Sequence, residues 1–148
     1  MEKCPKDIGD MEIFDVVKKL NSSPFVQTSM SCAGHDKYGY PYIEIERPHR
    51  TIEGVFAEVL TKKINKNIPG TRLAATLDEN AHDPYRRIAA RLDGGRMILR
   101  KDQREIFWDA FRKAIKEMEK LPFFYGKNIG KRSYFEVLKE AEEYNDSI

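Results

Sequence analysis

The sequence predicts an α+β fold built from two successive helix-strand-strand units and two further helices. Segments with apolar residues at helical spacing alternate with pairs of segments in which apolar and polar residues alternate one by one. Short runs rich in Pro, Gly, Asn and Ser separate these segments. A chain of 148 residues with 41% hydrophobic content is enough for one core, so residues 1–148 are expected to form a single domain.

The first unit opens with a helix whose expected N-cap is Asp10 and whose expected end begins at Asn21. A strand from Val26 to Cys32 follows. Strict alternation along this strand predicts one set of residues toward the core and one polar set away from it. The core set is Val26, Thr28, Met30 and Cys32, and the polar set is Gln27, Ser29 and Ser31. After a loop with two glycines, the second strand is expected to direct Tyr40, Ile43 and Ile45 toward the core.

The second unit opens with a helix that Thr51 caps and that ends in the run 67–70. Two alternating segments follow this helix. Their expected core residues are Leu73, Ala75 and Leu77, then Ile88, Ala90 and Leu92. The run 93–95, Asp-Gly-Gly, predicts a hairpin turn that leads to a short strand through Met97 and Leu99.

Two C-terminal helices complete the expected fold. Asp102 with Glu105, and Ser133 with Glu136, have the spacing of a capping box. An antiparallel sheet with the helices packed on one face would bury every apolar set along the chain. The shared order of the two units indicates structural duplication, although their residues do not repeat.

The charge balance and the cysteine count exclude several classes of protein. The net charge is only +2, so nucleic acid would bind through a local patch rather than through a general excess of basic residues. Two cysteines, Cys4 and Cys32, are too few for a disulfide framework, and a reduced, cytoplasmic protein is expected. No apolar run approaches the roughly 18 residues of a membrane span, so no membrane partner is expected.

Small polar residues concentrate at the end of the first strand, which makes this segment the first candidate site. Ser29 and Ser31 are expected on its polar face, and Gly34 lets a ligand or a backbone approach closely. Cys32 and His35 can act as nucleophile and base only if the loop brings them together. The alternation also permits Cys32 to be a small buried hydrophobe, and both interpretations stay open. No structural zinc spacing is present, so no metal is expected.

Two basic regions are candidate binding sites for anionic groups. His49 and Arg50 precede the second helix, whose first N–H groups would face the same space. Arg87 and Arg91 are expected on the sheet face away from the helices, where they would follow a phosphate backbone while tyrosines offer base stacking. In the alternative interpretation, both regions are ordinary charged surfaces whose arginines pair with acidic residues such as Glu44.

Residues 10–60 also resemble a known family. The helix before Asn21 is followed by a strand that ends in the run 28–34, Thr-Ser-Met-Ser-Cys-Ala-Gly. This pattern resembles the N-terminal part of the tRNA wybutosine-synthesizing methyltransferases, in which the strand carries a Thr-Ser-Ser-Cys-Ser/Ala-Gly-Arg signature. A histidine just before the next helix of that family looks like His49, and His35 stands where the signature has arginine. The resemblance implies the same duplicated fold and S-adenosylmethionine-dependent methylation of a modified guanosine in tRNA.

The combined hypothesis is a protein that binds a nucleotide or RNA, has a wybutosine-methyltransferase-like fold, and uses S-adenosylmethionine if it is an enzyme. The expected catalytic residues are His35 and Cys32, and the expected substrate-binding residues are Ser29, Ser31, Gly34, His49, Arg50, Arg87 and Arg91. Two alternatives stay open. One is a hydrolase that uses Cys32 and His35. The other is a non-catalytic module, such as a phage or accessory protein, that forms a homodimer through its sheet face.

Overall fold

A computed structural model describes residues 11–23, 26–34, 41–46, 52–70, 72–78, 85–92, 99–121 and 133–148. Four α-helices and four strands lie within these ranges. They are α1 (Phe14–Asn21), β1 (Gln27–Cys32), β2 (Tyr42–Glu46), α2 (Ile52–Asn67), β3 (Leu73–Asp78), β4 (Tyr85–Leu92), α3 (Lys101–Glu119) and α4 (Tyr134–Ser147). The predicted α+β class, the repeated helix-strand-strand order and the two C-terminal helices are confirmed.

The four strands form one antiparallel sheet in the order β1-β2-β4-β3. Each unit therefore contributes one central strand and one edge strand, and the two units meet along β2 and β4. The two units are arranged alike, because each places its first strand at an edge and its second strand in the centre. The duplication thus exists in the fold without a repeat in the residues.

The helices pack on one face of the sheet and bury its apolar side chains. α2 lies against β3, β4, α3 and α4, while α1 lies against β1 and α3. The largest fully buried side chains are Phe56, Phe107, Phe111, Ile13, Leu20, Ile43, Ile45, Ile52, Leu60, Ile64 and Ile88. Trp108 belongs to the same core.

A β-bulge in β1 changes which way the strand directs its last residues. Thr28 lies opposite Ile45, but the next paired residue is Met30, opposite Glu44. Ser29 is therefore the extra residue. Strict alternation is wrong beyond this point, since a one-residue shift moves every later side chain to the other face. Ser31 consequently shares the face of the buried core, and Cys32 shares the face of Tyr42.

Two helix starts can be compared with the predicted caps. Ser133 caps α4, because its Oγ accepts a hydrogen bond from the Glu136 N–H at 3.2 Å. α3 starts earlier than predicted, since the Gln103 side chain accepts from the Arg100 N–H at 2.8 Å and Lys101 is already helical. Asp10, Thr51 and the predicted hairpin lie outside the described residues. Within the described ranges, no helix combines the length and apolar character needed to cross a bilayer.

Candidate functional site

A polar cluster occupies the sheet face that lies away from the helices. Arg87 of β4 donates through Nη2 to the Glu44 carboxylate on β2 at 3.0 Å. The hydroxyl of Ser29 donates to the other carboxylate oxygen at 2.9 Å. The guanidinium carbon of Arg87 lies 4.3 Å from the centre of the Tyr42 ring. We call these four residues, Ser29, Tyr42, Glu44 and Arg87, the open-face cluster.

The strand register explains how the open-face cluster forms. Glu44 lies directly opposite Arg87 in the pairing of the two central strands, and directly opposed residues share one face of a sheet. Tyr42 lies two residues before Glu44, so its side chain emerges on the same face. Ser29 reaches this face because it is the extra residue of the β1 bulge. Three strands thus converge on one carboxylate.

The two charged members of the open-face cluster differ in exposure. The Glu44 side chain is 4% exposed, whereas that of Arg87 is 20% exposed. A buried carboxylate is tolerated only where cations and hydrogen-bond donors neutralise it, and Arg87 with Ser29 performs that role. The guanidinium is consequently held over the Tyr42 ring, while the Arg87 side chain stays partly exposed.

Arg91 continues the basic character of this face along β4. It lies four residues after Arg87, on the same side of the strand, with Ala89 between them. The residues that β3 places opposite Ala89 and Arg91 are Thr76 and Ala74, both of which are small. This face therefore combines two arginines, an aromatic ring and the small side chains of their neighbours.

Ser31 and Cys32, the last two residues of β1, lie on the faces opposite to those that alternation predicted, although the burial of Cys32 agrees with one of its two interpretations. Ser31 is buried at 6% exposure, on the helix side of the sheet. Cys32 is buried on the other side and is disulfide-bonded, which differs from the reduced state expected from the sequence. The second cysteine of the chain, Cys4, lies outside the described residues. The hydrolase hypothesis needs a free thiolate, and Cys32 does not carry one in this form.

Gly34 follows β1 and has a backbone conformation that favours glycine, with φ of +100°. A Cβ atom at this position would lie 2.8 Å from Cδ of Arg104 and 2.9 Å from Cδ of Pro41. The close approach that the glycine allows is therefore to other parts of the chain. Beside it, the indole N–H of Trp108 donates to the Ala33 carbonyl at 2.9 Å and fixes the end of the strand.

Three of the predicted site residues, His35, His49 and Arg50, lie outside the described residues. The remaining histidine of the chain lies outside them as well. In the described part of the chain, no three His, Cys, Asp or Glu side chains come together as metal ligands. The residues that the structure brings together among the predicted ones are thus Ser29 and Arg87, both bound to Glu44.

A cavity of about 210 Å³ lies on another side of the molecule. It is lined by Glu12, Arg104, Glu105, Trp108, Asp109 and Arg112. The Arg112 guanidinium is already bound to Asp15, with contacts of 2.9 and 3.2 Å. This hydrogen-bonded pair lowers the pKa of Asp15 and raises that of Arg112. Arg112 thus joins α3 to α1 at this cavity.

The sequence indicated Ser29 and Arg87 as site residues, but Glu44 only as a surface charge that pairs with the arginines. The residue that organises the site is Glu44. A signal for it exists in the sequence, because Glu44 stands between two isoleucines of a strand in the centre of the sheet. A central strand has neighbours on both sides, and its polar residues are shielded more than those of an edge strand.

No protein-family model matches this chain, and no curated protein or solved structure matches it either. The resemblance to the wybutosine-synthesizing methyltransferases therefore stays a prediction.

Proposed function

We propose that this protein binds single-stranded RNA or a nucleotide on the open sheet face. The observation that supports it is the stack of Arg87 on Tyr42, held in place by the buried Glu44. A guanidinium placed over an aromatic ring presents a cationic, planar group on which a base can stack. Proteins that bind single strands combine such stacking surfaces with basic residues along the strand.

Three features of the open face favour this ligand. Arg87 does not have to be ordered when the ligand binds, since Glu44 already fixes it, and preorganisation lowers the cost of binding. Arg91 supplies a second positive charge on the same face. Ala89 and Thr76, which lie beside the two arginines on this face, have small side chains.

Fluorescence anisotropy with a labelled single-stranded RNA tests the proposal. Arg87→Lys keeps the charge next to Glu44 but removes the flat guanidinium, and Arg91→Ala removes the second cation. The double variant is expected to bind at least about tenfold more weakly, because base stacking alone contributes roughly 1–3 kcal/mol. The dependence of its affinity on salt should also be less steep, by about 0.7 in the logarithmic slope for each phosphate that the variant no longer neutralises.

The matched control is Arg100→Ala. Arg100 is exposed at the start of α3 and pairs with Asp102, so this variant removes one positive charge that does not belong to the open-face cluster. It should bind RNA as the wild type does. RNA affinity that is equal in the control and in the Arg87→Lys/Arg91→Ala variant would rule out the open face as the binding surface.

S-adenosylmethionine enters the proposal through the family resemblance and the duplicated helix-strand-strand order. The described end of β1 does not itself offer an open cradle for this cofactor, since Ser31 is buried and Arg104 fills the space beside Gly34. The cofactor would need residues outside the described ranges, such as His35 and His49. The protein would then supply orientation, because the cofactor carries the reactive methyl group.

Calorimetric titration with S-adenosylmethionine and with S-adenosylhomocysteine tests this part separately. Saturable heat with either compound is expected if the cofactor binds. Absence of heat with both would remove the methyltransferase part and leave the RNA proposal, which the anisotropy experiment tests independently.

A further inference from the structure

The edge of β3 carries backbone groups that point away from the sheet. β3 pairs with β4 in continuous register, with Ala75 opposite Ala90. The Ala90 N–H donates to the Pro41 carbonyl at 2.9 Å, on the β2 side of β4. Opposed residues in an antiparallel ladder alternate between hydrogen-bonded and non-bonded pairs. The N–H and C=O of Ala75 therefore face outward, as do those of Leu73 and Leu77.

A side chain from α2 occupies the middle of this edge. Nδ2 of Asn65 donates to the Ala75 carbonyl at 2.9 Å, and Oδ1 of Asn65 accepts from the Ala75 N–H at 2.7 Å. A carboxamide has the same donor and acceptor as a peptide group. Asn65 thus makes the two bonds that a residue of a neighbouring strand would make, and it covers the central position of a six-residue strand.

The residues of β3 are self-complementary about Ala75. In an antiparallel pair of two copies centred on this residue, Leu73 of each copy lies opposite Leu77 of the other. Arg72 of each copy likewise lies opposite Asp78 of the other. Apolar side chains then meet on the helix side and opposite charges meet on the open face, both of which stabilise cross-strand pairs. Each contact occurs twice, because a symmetric dimer uses the same patch on both copies.

The opposite edge of the sheet has two protections. Asn21, at the end of α1, accepts from the Thr28 N–H at 2.9 Å and donates to the Thr28 hydroxyl at 2.8 Å. β1 also has the bulge at Ser29, and bulges discourage pairing at a sheet edge. The pairing of β3 with β4 shows no register shift over residues 73–78. Within the described ranges, Asn65 is consequently the side chain that hydrogen-bonds to the middle of the β3 edge.

We propose that the edge of β3 is an interaction surface for a second copy of this chain, and that Asn65 keeps it closed in the single chain. When the Asn65 carboxamide is absent, the Ala75 N–H and C=O become available and two sheets join through β3. The surface is distinct from the open-face cluster, so this proposal does not depend on RNA binding.

Analytical ultracentrifugation of Asn65→Ala over a range of concentrations tests the proposal. The chain mass is 17.2 kDa, so pairing is detected as a concentration-dependent rise toward twice the wild-type mass. Self-association should become about tenfold tighter than in the wild type, as expected when two backbone hydrogen bonds become available. Asn67→Ala is the matched control, since Asn67 lies on the same helix but donates within it, to the Lys63 carbonyl. Its mass should equal that of the wild type.

A second variant locates the contact. Proline at position 75 removes the outward N–H and leaves the bonds to β4 in place, so Asn65→Ala/Ala75→Pro should return to the wild-type mass. Circular dichroism of dilute samples establishes that the variants are folded, and Asn65→Gln, which displaces the carboxamide, replaces the alanine variant if that one does not fold. Equal masses for the wild type and the Asn65 variant overturn the proposal. Association that persists with proline at position 75 overturns it as well.

Discussion

Arg86 and Arg87 are consecutive residues of β4 that point to opposite faces of the sheet, and each pairs with a glutamate. Arg86 faces the helices, is 10% exposed, and binds Glu58 of α2, which is 41% exposed. Arg87 faces away from the helices and binds Glu44, which is 4% exposed. On the helix side the cation is buried and the anion reaches water. On the open face the anion is buried and the cation is the more accessible partner.

This inversion separates a structural arginine from one that can meet a ligand. The carboxylate of Glu58 also accepts from the Asn145 side chain at 2.8 Å, so the Arg86 pair joins β4 to α2 and α4. The Glu44 carboxylate instead gathers groups from β1 and β4 on one face. The Arg86–Glu58 pair thus stabilises helix packing, whereas the Arg87–Glu44 pair orients a guanidinium on the open face.

Replacing each arginine with an uncharged residue should give the largest difference in unfolding free energy between the two pairs. Arg87→Met leaves Glu44 buried without its cation and should cost roughly 3–5 kcal/mol of unfolding free energy. Arg86→Met leaves a glutamate that water can solvate, and it should cost about 1 kcal/mol. Methionine keeps most of the side-chain stem in both cases. Urea unfolding of the two variants measures the difference.

Removing the glutamates should reverse the order. Glu58→Ala leaves the more buried guanidinium, Arg86, so it should cost more than Glu44→Ala. If both sets of variants rank in the same order, the burial of the group left behind does not decide the cost, and the comparison fails.

A third pair, Asp15 with Arg112, should contribute least to the free energy of unfolding, because both side chains are substantially exposed. Asp15→Asn should cost only about 0.2–1 kcal/mol at neutral pH, as is usual for exposed pairs. The bound guanidinium lowers the pKa of Asp15 from its ordinary value of 3.8. The stabilisation is therefore complete above that value and is lost as the pH falls through the folded-state pKa.

Unfolding midpoints at pH 7 and at pH 3 check this prediction. The gap between the wild type and Asp15→Asn should narrow at the lower pH, since protonation removes the charge that the variant lacks. A gap of constant size would show that the pair acts through geometry rather than through charge.

Much of the fold follows from local patterns in the sequence. The apolar stripe of α3 around Phe107 and Phe111 and the Ser133 cap of α4 were predictable, because helical spacing and capping chemistry depend on neighbours within a turn. The face of the sheet on which Arg87 and Arg91 lie was also predictable from a local pattern. β4 is regular, so alternation holds along it.

The bulge at Ser29 and the role of Asn65 were not predictable in this way. A bulge changes the face of every later residue in β1, but it is visible only when β2 lies opposite. Asn65 lies in the last turn of α2, where an asparagine is equally typical of an ordinary helix end. Only the position of β3 shows that the Asn65 carboxamide makes the hydrogen bonds that a further strand would make.

At the polar end of β1, some properties follow from neighbouring residues in the sequence, and others depend on segments that are distant in the sequence. Composition and periodicity determine that a strand with small polar residues ends near Gly34, since these properties are local. The partners of those residues depend on the packing of distant segments. Ser29 joins the open-face cluster, Ser31 is buried beneath the helices, and Gly34 accommodates Arg104, because the register with β2 and the position of α3 decide which groups come within hydrogen-bond or van der Waals distance.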